Sequence, residues 1–207
     1  MIALIDYGAG NLASVRKALR ACGAEVFEPA GADRLALASA IVLPGVGHFG
    51  ATAALDGAWR SAIRTRIEAG VPFLGICLGM QWLFEGSDEA PGTPGLGCLP
   101  GQVVRLPDRT ASGERLKVPH AGWNIARAAN GPGHEPGIPG LEDGAYLYFT
   151  HAYAAPVTDS TAAITEYGVP FASAVRRANI CGVQFHPEKS GTAGLAVLRA
   201  FIDGARS

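Results

Sequence analysis

The chain has 207 residues, of which 48% are hydrophobic and 17% charged, with a formal net charge of −1. That balance fits one α/β domain over residues 1–207 with a sizeable core, and it excludes a disordered chain. There is no basic run and no apolar stretch near the ~18 residues of a membrane span, so neither nucleic acid nor a membrane is expected as a partner.

Met1–Asp6 has no basic flank and meets an acid at once, so it reads as a first strand and not as a signal peptide. Strands are predicted at Ile2–Ile5, Glu25–Glu28, Ala40–Leu43 and Pro72–Ile76. Helices are predicted at Asn11–Ala21 with Asn11 as its cap, at Ala58–Ala69, and over a short Leu78–Phe84. Such alternation implies a mostly parallel open sheet with helices on both faces and a site at the carboxyl ends of the strands.

Beyond this the pattern changes. Glu85–Leu99 reads as a loop. Gly101–Leu106, Tyr146–Tyr153, Ala162–Glu166, Ala172–Val175 and Ile180–Phe185 read as strands, some antiparallel. Asn130–Gly140 is a Gly/Pro-rich surface loop, and Thr192–Ala205 a closing amphipathic helix. No repeat or linker divides the chain. Cys22, Cys77, Cys98 and Cys181 show no C-x-x-C spacing, which speaks against a zinc knuckle and suits a reducing cytoplasm. No metal and no cofactor is expected.

The chemistry concentrates in two motifs. Gly75-Ile76-Cys77-Leu78-Gly79 follows the apolar run Val71–Leu74, an arrangement that reads as a nucleophile elbow between strand and helix. The helix N-terminus is a favourable place for an anionic sulfur. Downstream lies His186-Pro187-Glu188. In an extended chain residues two apart share a side, so Glu188 would reach back to orient His186, and His186 would serve Cys77 as base and then acid. A lone cysteine is most often core and a lone His-Pro-Glu a surface turn; it is their combination that favours catalysis.

Two glycine loops imitate dinucleotide fingerprints, Gly8-Ala9-Gly10-Asn11-Leu12-Ala13 and Gly45–Gly50. In a chain with 28 glycines such matches carry little weight. Pro44-Gly45-Val46-Gly47 has a better use: a loop after the third strand supplies one oxyanion-hole N–H, and Leu78, the residue after the nucleophile, supplies the other.

With these motifs the chain resembles the triad (class I) glutamine amidotransferases. Asp6–Leu12, Pro44–Gly47, Lys117-Val118-Pro119-His120-Ala121-Gly122-Trp123-Asn124 and Tyr148–Tyr153 are similar, within that family, to the glutaminase subunits of imidazole glycerol phosphate synthases. The resemblance runs from Ile2 to the final helix, with Ala121 standing where methionine is expected; a change of packing and not of chemistry is anticipated there. It implies a flavodoxin-like fold with extra antiparallel strands, and glutamine hydrolysis through a Cys77 thioester. It implies Gln81 and Glu89 as glutamine-gripping residues, and His151, Ala152 and Tyr153 as pocket lining. It further implies a separate (β/α)8-barrel cyclase subunit as partner, forming a heterodimer and converting PRFAR to imidazole glycerol phosphate and AICAR with the ammonia. Asn11, Lys117, His120, Trp123, Asn124 and Lys189 are expected at that contact. Alternatives are an amidotransferase subunit serving pyridoxal phosphate or anthranilate synthesis, or a non-catalytic redox module with Cys77 as sensor.

Overall fold

Period-two alternation sorts each early strand onto two faces, and both faces are buried. The computed structural model describes residues 1–129 and 137–206, so residues 130–136 of the expected loop Asn130–Gly140 lie outside the described residues. The elements run β1 (Ile2–Leu4), α1 (Leu12–Ala21), β2 (Val26–Phe27), β3 (Ala40–Leu43), α2 (Gly57–Glu68), β4 (Phe73–Ile76), α3 (Leu78–Gln81), β5 (Gly86–Ser87) and β6 (Gln102–Arg105). They continue with β7 (His120–Ala128), β8 (Ala145–His151), β9 (Tyr153–Ala154), β10 (Thr161–Tyr167), β11 (Val169–Arg177), β12 (Ile180–Val183) and α4 (Gly191–Gly204).

Nine strands form one sheet in the order β2-β1-β3-β4-β12-β11-β10-β7-β8. From β2 to β12 the pairing is parallel; from β12 to β8 it is antiparallel. Ile2, Leu4, Val42, Leu74 and Ile76 face α1 and α4, whose Val15, Leu19, Val197 and Leu198 complete one core layer. Ala3, Ile5, Ile41, Leu43 and Phe73 face the other way, onto Ile63 of α2 and the Trp82–Phe84 segment. This is the mostly parallel α/β sheet with added antiparallel strands that the alternation implies. None of the described helices is long and apolar enough to cross a membrane.

Four local expectations need correction. Asn11 precedes α1, but its side chain makes no capping bond. The helix after Cys77 lasts one turn instead of reaching Phe84, because the Leu83 and Phe84 N–H groups bond Met80 and Gln81 carbonyls three residues back and tighten into a turn. Glu85–Leu99 is a packed segment: it contains β5, buries Leu96 and Leu99, and is tied down by Arg60 and Arg64, whose guanidinium groups bind the carbonyls of Pro94, Gly95 and Leu96. The long strand β7 was not among the predicted strands. Its His-Ala-Gly-Trp-Asn stretch has small and polar residues because one face is exposed.

Asp56 caps α2, its carboxylate accepting from the N–H groups of Ala58 and Trp59. Asp56→Ala leaves both donors without that partner. It should cost about 1 kcal/mol and lower the melting temperature by roughly 2–4 °C, as read by thermal denaturation, with the far-UV spectrum unchanged.

Candidate active site

Cys77 closes β4 in a left-handed conformation, φ 53° and ψ −107°. A non-glycine residue held there stores about 1–3 kcal/mol of strain, which surrounding contacts must override. They do so by close packing. A Cβ on Gly79 would collide with the Leu43 carbonyl, and one on Gly75 would lie 2.6 Å from the Gly79 carbonyl oxygen. The Cys77 N–H is anchored on Val183 O at 2.7 Å. Helix α3 has a single turn, so the electrostatic help expected from a helix N-terminus is small.

The parallel register Ile76↔Val183 of β4 and β12 brings the residues that follow each strand to one edge of the sheet. His186 arrives there with its side chain 2% exposed; its Nδ1 is 2.9 Å from Oε1 of Glu188, whose side chain is 1% exposed. The route differs from the extended geometry expected. Pro187–Lys189 forms a 3₁₀ turn, with Pro187 supplying the fixed φ of its first position, and the turn folds Glu188 back under the ring. Burial alone would lower the His186 pKa. The nearby Cys77 sulfur and the hydrogen-bonded Glu188 carboxylate outweigh it and raise the value from 6.5 to about 9. With Nδ1 taken by Glu188, Nε2 is buried without a hydrogen-bond partner on the side that senses Cys77. Ser190 locks the turn: its hydroxyl donates to His186 O at 2.7 Å and accepts from Tyr148 N–H at 2.9 Å.

A small pocket lies over Cys77, lined by Gly47, Leu78, Gln81, Glu89, Thr150, His151, Ala152 and Tyr153. Its empty volume, counting space open to solvent, is ≈ 270 Å³. Seven of these residues were anticipated from the sequence; Thr150 was not. Gln81 donates to Tyr153 O at 2.8 Å. Glu89 is half-buried and accepts from Phe49 N–H at 2.7 Å, so it is a fixed carboxylate and not a solvated one.

The loop expected to hold an oxyanion is not poised to donate. Leu78 N–H is directed at Gly45 O, 3.3 Å away, so a protein carbonyl occupies the expected donor. Gly45 is buried and hemmed in by the Tyr7 hydroxyl and Leu78 Cβ; Val46 is half-buried; Gly47 is exposed at φ 99° with open space around it. Freedom to reorient therefore resides at Gly47.

The residues expected at a partner surface divide. Trp123 (46% exposed) stacks with Tyr146 (58% exposed) at 5.8 Å on the outer strands β7 and β8. Lys189 lies over the Tyr148 ring at 5.8 Å and is exposed, as is Lys117. Asn11 is half-buried, and Ala121 is exposed on the same side of β7 as Trp123, outside the core, so no change of core packing arises there. His120 is the correction. It is 4% exposed, stacked on Tyr167 and Phe149, and burial pushes its pKa down to about 4. It is a core histidine and presents no side chain to a partner. Asn124 is half-buried, tied to Glu166 O at 3.0 Å and to His120.

Sequence reasoning also passed over Gln184. Fully buried, it donates from Nε2 to the Cys77 sulfur at 3.5 Å. The available signal was its place in Val183-Gln184-Phe185-His186, an amide at the end of a buried strand two residues before the histidine.

Comparison with known proteins gives the family. The family model "Glutamine amidotransferase class-I" matches residues 3–204. The imidazole glycerol phosphate synthase subunit HisH of Thermococcus kodakarensis is 47% identical, with 97% of this chain and 98% of that protein covered. The subunit of the same name from Deinococcus radiodurans is 46% identical over 97% and 92%, and that of Methanothermobacter thermautotrophicus is 45% identical over the full length of both. Among solved structures, a glutamine amidotransferase superposes with a TM-score of 0.73 at 21% identity over all of both chains. Thermotoga maritima PurLQS does so at 0.73 and 20% identity, covering 98% and 97%. These two likenesses speak to the fold, which is that of the class I amidotransferases. On the family model and these full-length relatives, the chain belongs to the class I glutamine amidotransferases and, within them, to the HisH subunits of imidazole glycerol phosphate synthase.

Proposed function

We propose that this chain, as the glutaminase subunit of imidazole glycerol phosphate synthase, hydrolyses glutamine with Cys77 as nucleophile, His186 as acid and base, and Glu188 as the acid that orients it. The Cys77 thiol passes its proton to His186 Nε2 as the sulfur attacks the carboxamide carbon. His186, through Nε2, gives its proton to the departing nitrogen, and ammonia leaves a thioester. The same nitrogen then takes a proton from water, hydroxide adds to the thioester, and glutamate and the thiol are regenerated. Gln81 and Glu89 hold the amino-acid end of glutamine, and the backbone of His151–Tyr153 lines its path. The ammonia passes to a (β/α)8-barrel cyclase subunit, which converts PRFAR to imidazole glycerol phosphate and AICAR.

The observation that carries this reading is the buried Cys77–His186–Glu188 constellation at one sheet edge. It disfavours a redox sensor: Cys77 is 4% exposed, whereas sensor cysteines are accessible. For the partner surface, the exposed Trp123–Tyr146 pair and the neighbouring Lys189 offer the aromatic and cationic anchors typical of interface centres. Measuring ammonia release from glutamine, with and without the barrel subunit carrying its own ligand, tests the assignment; a partner of another mass copurifying with the chain would redirect it to a different synthase.

Cys77→Ser should abolish glutamine hydrolysis while leaving the fold and the subunit complex intact, and the complex should still form product from ammonium salts. Loss of the ammonia-dependent reaction too would make Cys77 structural.

Glu188→Gln should lower turnover by up to about 10⁴-fold while largely sparing glutamine binding, since the amide cannot stabilise the imidazolium. The variant has a second readout. The folded-state pKa of His186, about 9, stands above its ordinary 6.5. The protonated ring therefore contributes stability that is complete below pH 6.5 and lost as pH rises through about 9. The difference in denaturation midpoint between wild type and Glu188→Gln should shrink across that window.

Basal glutaminase activity should be low, because Gly45 O occupies the Leu78 donor, and should rise when the ligand-bound partner docks and the Gly45–Gly47 backbone turns over. A missing oxyanion donor costs about 10²–10³ in rate. Gly47→Pro removes an N–H and cannot adopt φ 99°. It should keep the low basal rate and lose most of the stimulation; full stimulation with an intact complex would place the switch elsewhere.

A further inference from the structure

Following polar contacts inward from Asn124 gives a continuous line of hydrogen bonds that ends on the nucleophile. Asn124 Nδ2 lies 3.4 Å from His120 Nε2. His120 Nδ1 lies 3.2 Å from His151 Nε2, and His151 Nδ1 lies 2.8 Å from Tyr153 O. Gln81 Nε2 donates to that same carbonyl at 2.8 Å and to Gln184 Oε1 at 3.0 Å. Gln184 Nε2 donates to Cys77 Sγ at 3.5 Å.

The two ends of this line fix its middle. Tyr153 O can only accept, so His151 carries its proton on Nδ1 and presents Nε2 as acceptor. His120 must then donate from Nδ1, which leaves its Nε2 to accept from the Asn124 amide. Each ring is thus a neutral imidazole in one tautomer, in keeping with burial, which lowers both pKa values, His120 to about 4 and His151 to about 3. The amide of Gln184 is fixed by the same logic. Its Oε1 accepts from Gln81, so its NH₂ must face the sulfur.

We propose that Gln184 is the group that holds the Cys77 sulfur in position, that Gln81 orients it in addition to lining the glutamine pocket, and that His151, His120 and Asn124 are positioning residues acting through the two amides. The proposal rests on the glutaminase reading of Cys77. A positioned nucleophile needs a fixed direction as well as a base, and the strained backbone at Cys77 does not set the side-chain torsion. Gln184 supplies that direction from the β12 side, leaving the sulfur face toward His186 for proton transfer. Gln184 cannot turn without breaking its bond from Gln81, and Gln81 is tied to the carbonyl that His151 also holds. The outer end, Asn124, is half-buried beside the exposed Trp123.

The test uses Gln184→Met, close in shape and without donor or acceptor, together with His120→Phe, which keeps a ring against Tyr167 and Phe149. Both are measured in the complex with the barrel subunit. The first readout is the rate of Cys77 carbamidomethylation by iodoacetamide at pH 7 without glutamine, followed by peptide mass spectrometry. The second is the split between kcat and KM for glutamine. Gln184→Met should slow alkylation and lower kcat, each by about tenfold, with KM changed less than twofold. His120→Phe should slow alkylation about threefold in the wild-type background and not at all on top of Gln184→Met, because both act along one line. Should Gln184→Met fail to fold, Gln184→Asn, which keeps the amide but draws it back by one methylene, replaces it with the same expected direction. A folded Gln184 variant whose alkylation rate and kcat stay within twofold of wild type overturns the assignment. Additive effects of the two substitutions overturn the line from His120. Absence of ammonia release from the wild-type complex would instead defeat the glutaminase reading, and the alkylation comparison would still decide whether Gln184 holds the sulfur.

Discussion

The site depends on one pairing, the parallel register of β4 with β12. Ile76 sits opposite Val183, and the hydrogen bond from Cys77 N–H to Val183 O extends the ladder one step beyond the strand. Residues 107 positions apart in the chain thereby become neighbours. A one-residue slip would exchange the faces of every side chain on β12, sending Val183 out of its core layer and removing Gln184 from the sulfur. Register here is specified by burial on both faces, since β4 and β12 lie in the interior of the nine-stranded sheet with hydrophobic layers above and below. The chemistry is held in place by packing that takes no part in it.

Close approach is the second constraint. The elbow exists because Gly75 and Gly79 allow β4, α3 and the Leu43 carbonyl to pack nearer than any side chain permits. The gain is position: Cys77 stands above the sheet edge, facing His186. With only one turn of α3 behind the sulfur, the positive charge nearest it is the His186 ring, kept protonated by Glu188, and not the helix. That charge is local, buried and switchable by a proton, which suits a group that must act as acid in one step and base in the next.

Some of this was legible in the amino-acid sequence and some was not, for identifiable reasons. Cys77 and the His186–Glu188 pair announce themselves because their chemistry demands rare residue types at short spacing, whereas Gln81, Glu89 and His151–Tyr153 were reached only through the family resemblance. The parallel strands are legible because burial on both faces leaves unbroken apolar runs. β7 was missed because its exposed face breaks the alternation with Trp123 and Ile125 on the outside. His120 was misplaced because a polar residue in a polar stretch looks superficial, whereas its neighbours Phe149, Tyr167 and Phe171 come from other strands. Gln184 and Ser190 were passed over because an amide or a hydroxyl reveals its role only through partners distant in sequence: Cys77 and Gln81 for the one, Tyr148 for the other. The Glu188 geometry was right in its outcome and wrong in its path, since Pro187 makes a turn where an extended chain was assumed.

The satisfied and unsatisfied polar groups around Cys77 divide the labour between them. On the side of Gln184, Gln81, His151 and His120, each buried side chain has its hydrogen bonds matched, so that wall is rigid and its histidines stay neutral. On the opposite side, His186 Nε2, Glu188 Oε2 and the Tyr7 hydroxyl are buried without hydrogen-bond partners. Each such atom costs about 1–3 kcal/mol, and burial and the neighbouring Cys77 push the Tyr7 pKa well above the ordinary tyrosine value. His186 Nε2 is open toward Cys77, where the proposed mechanism has it give and take protons, and the Tyr7 hydroxyl lies against Gly45, in the loop proposed to hold the oxyanion.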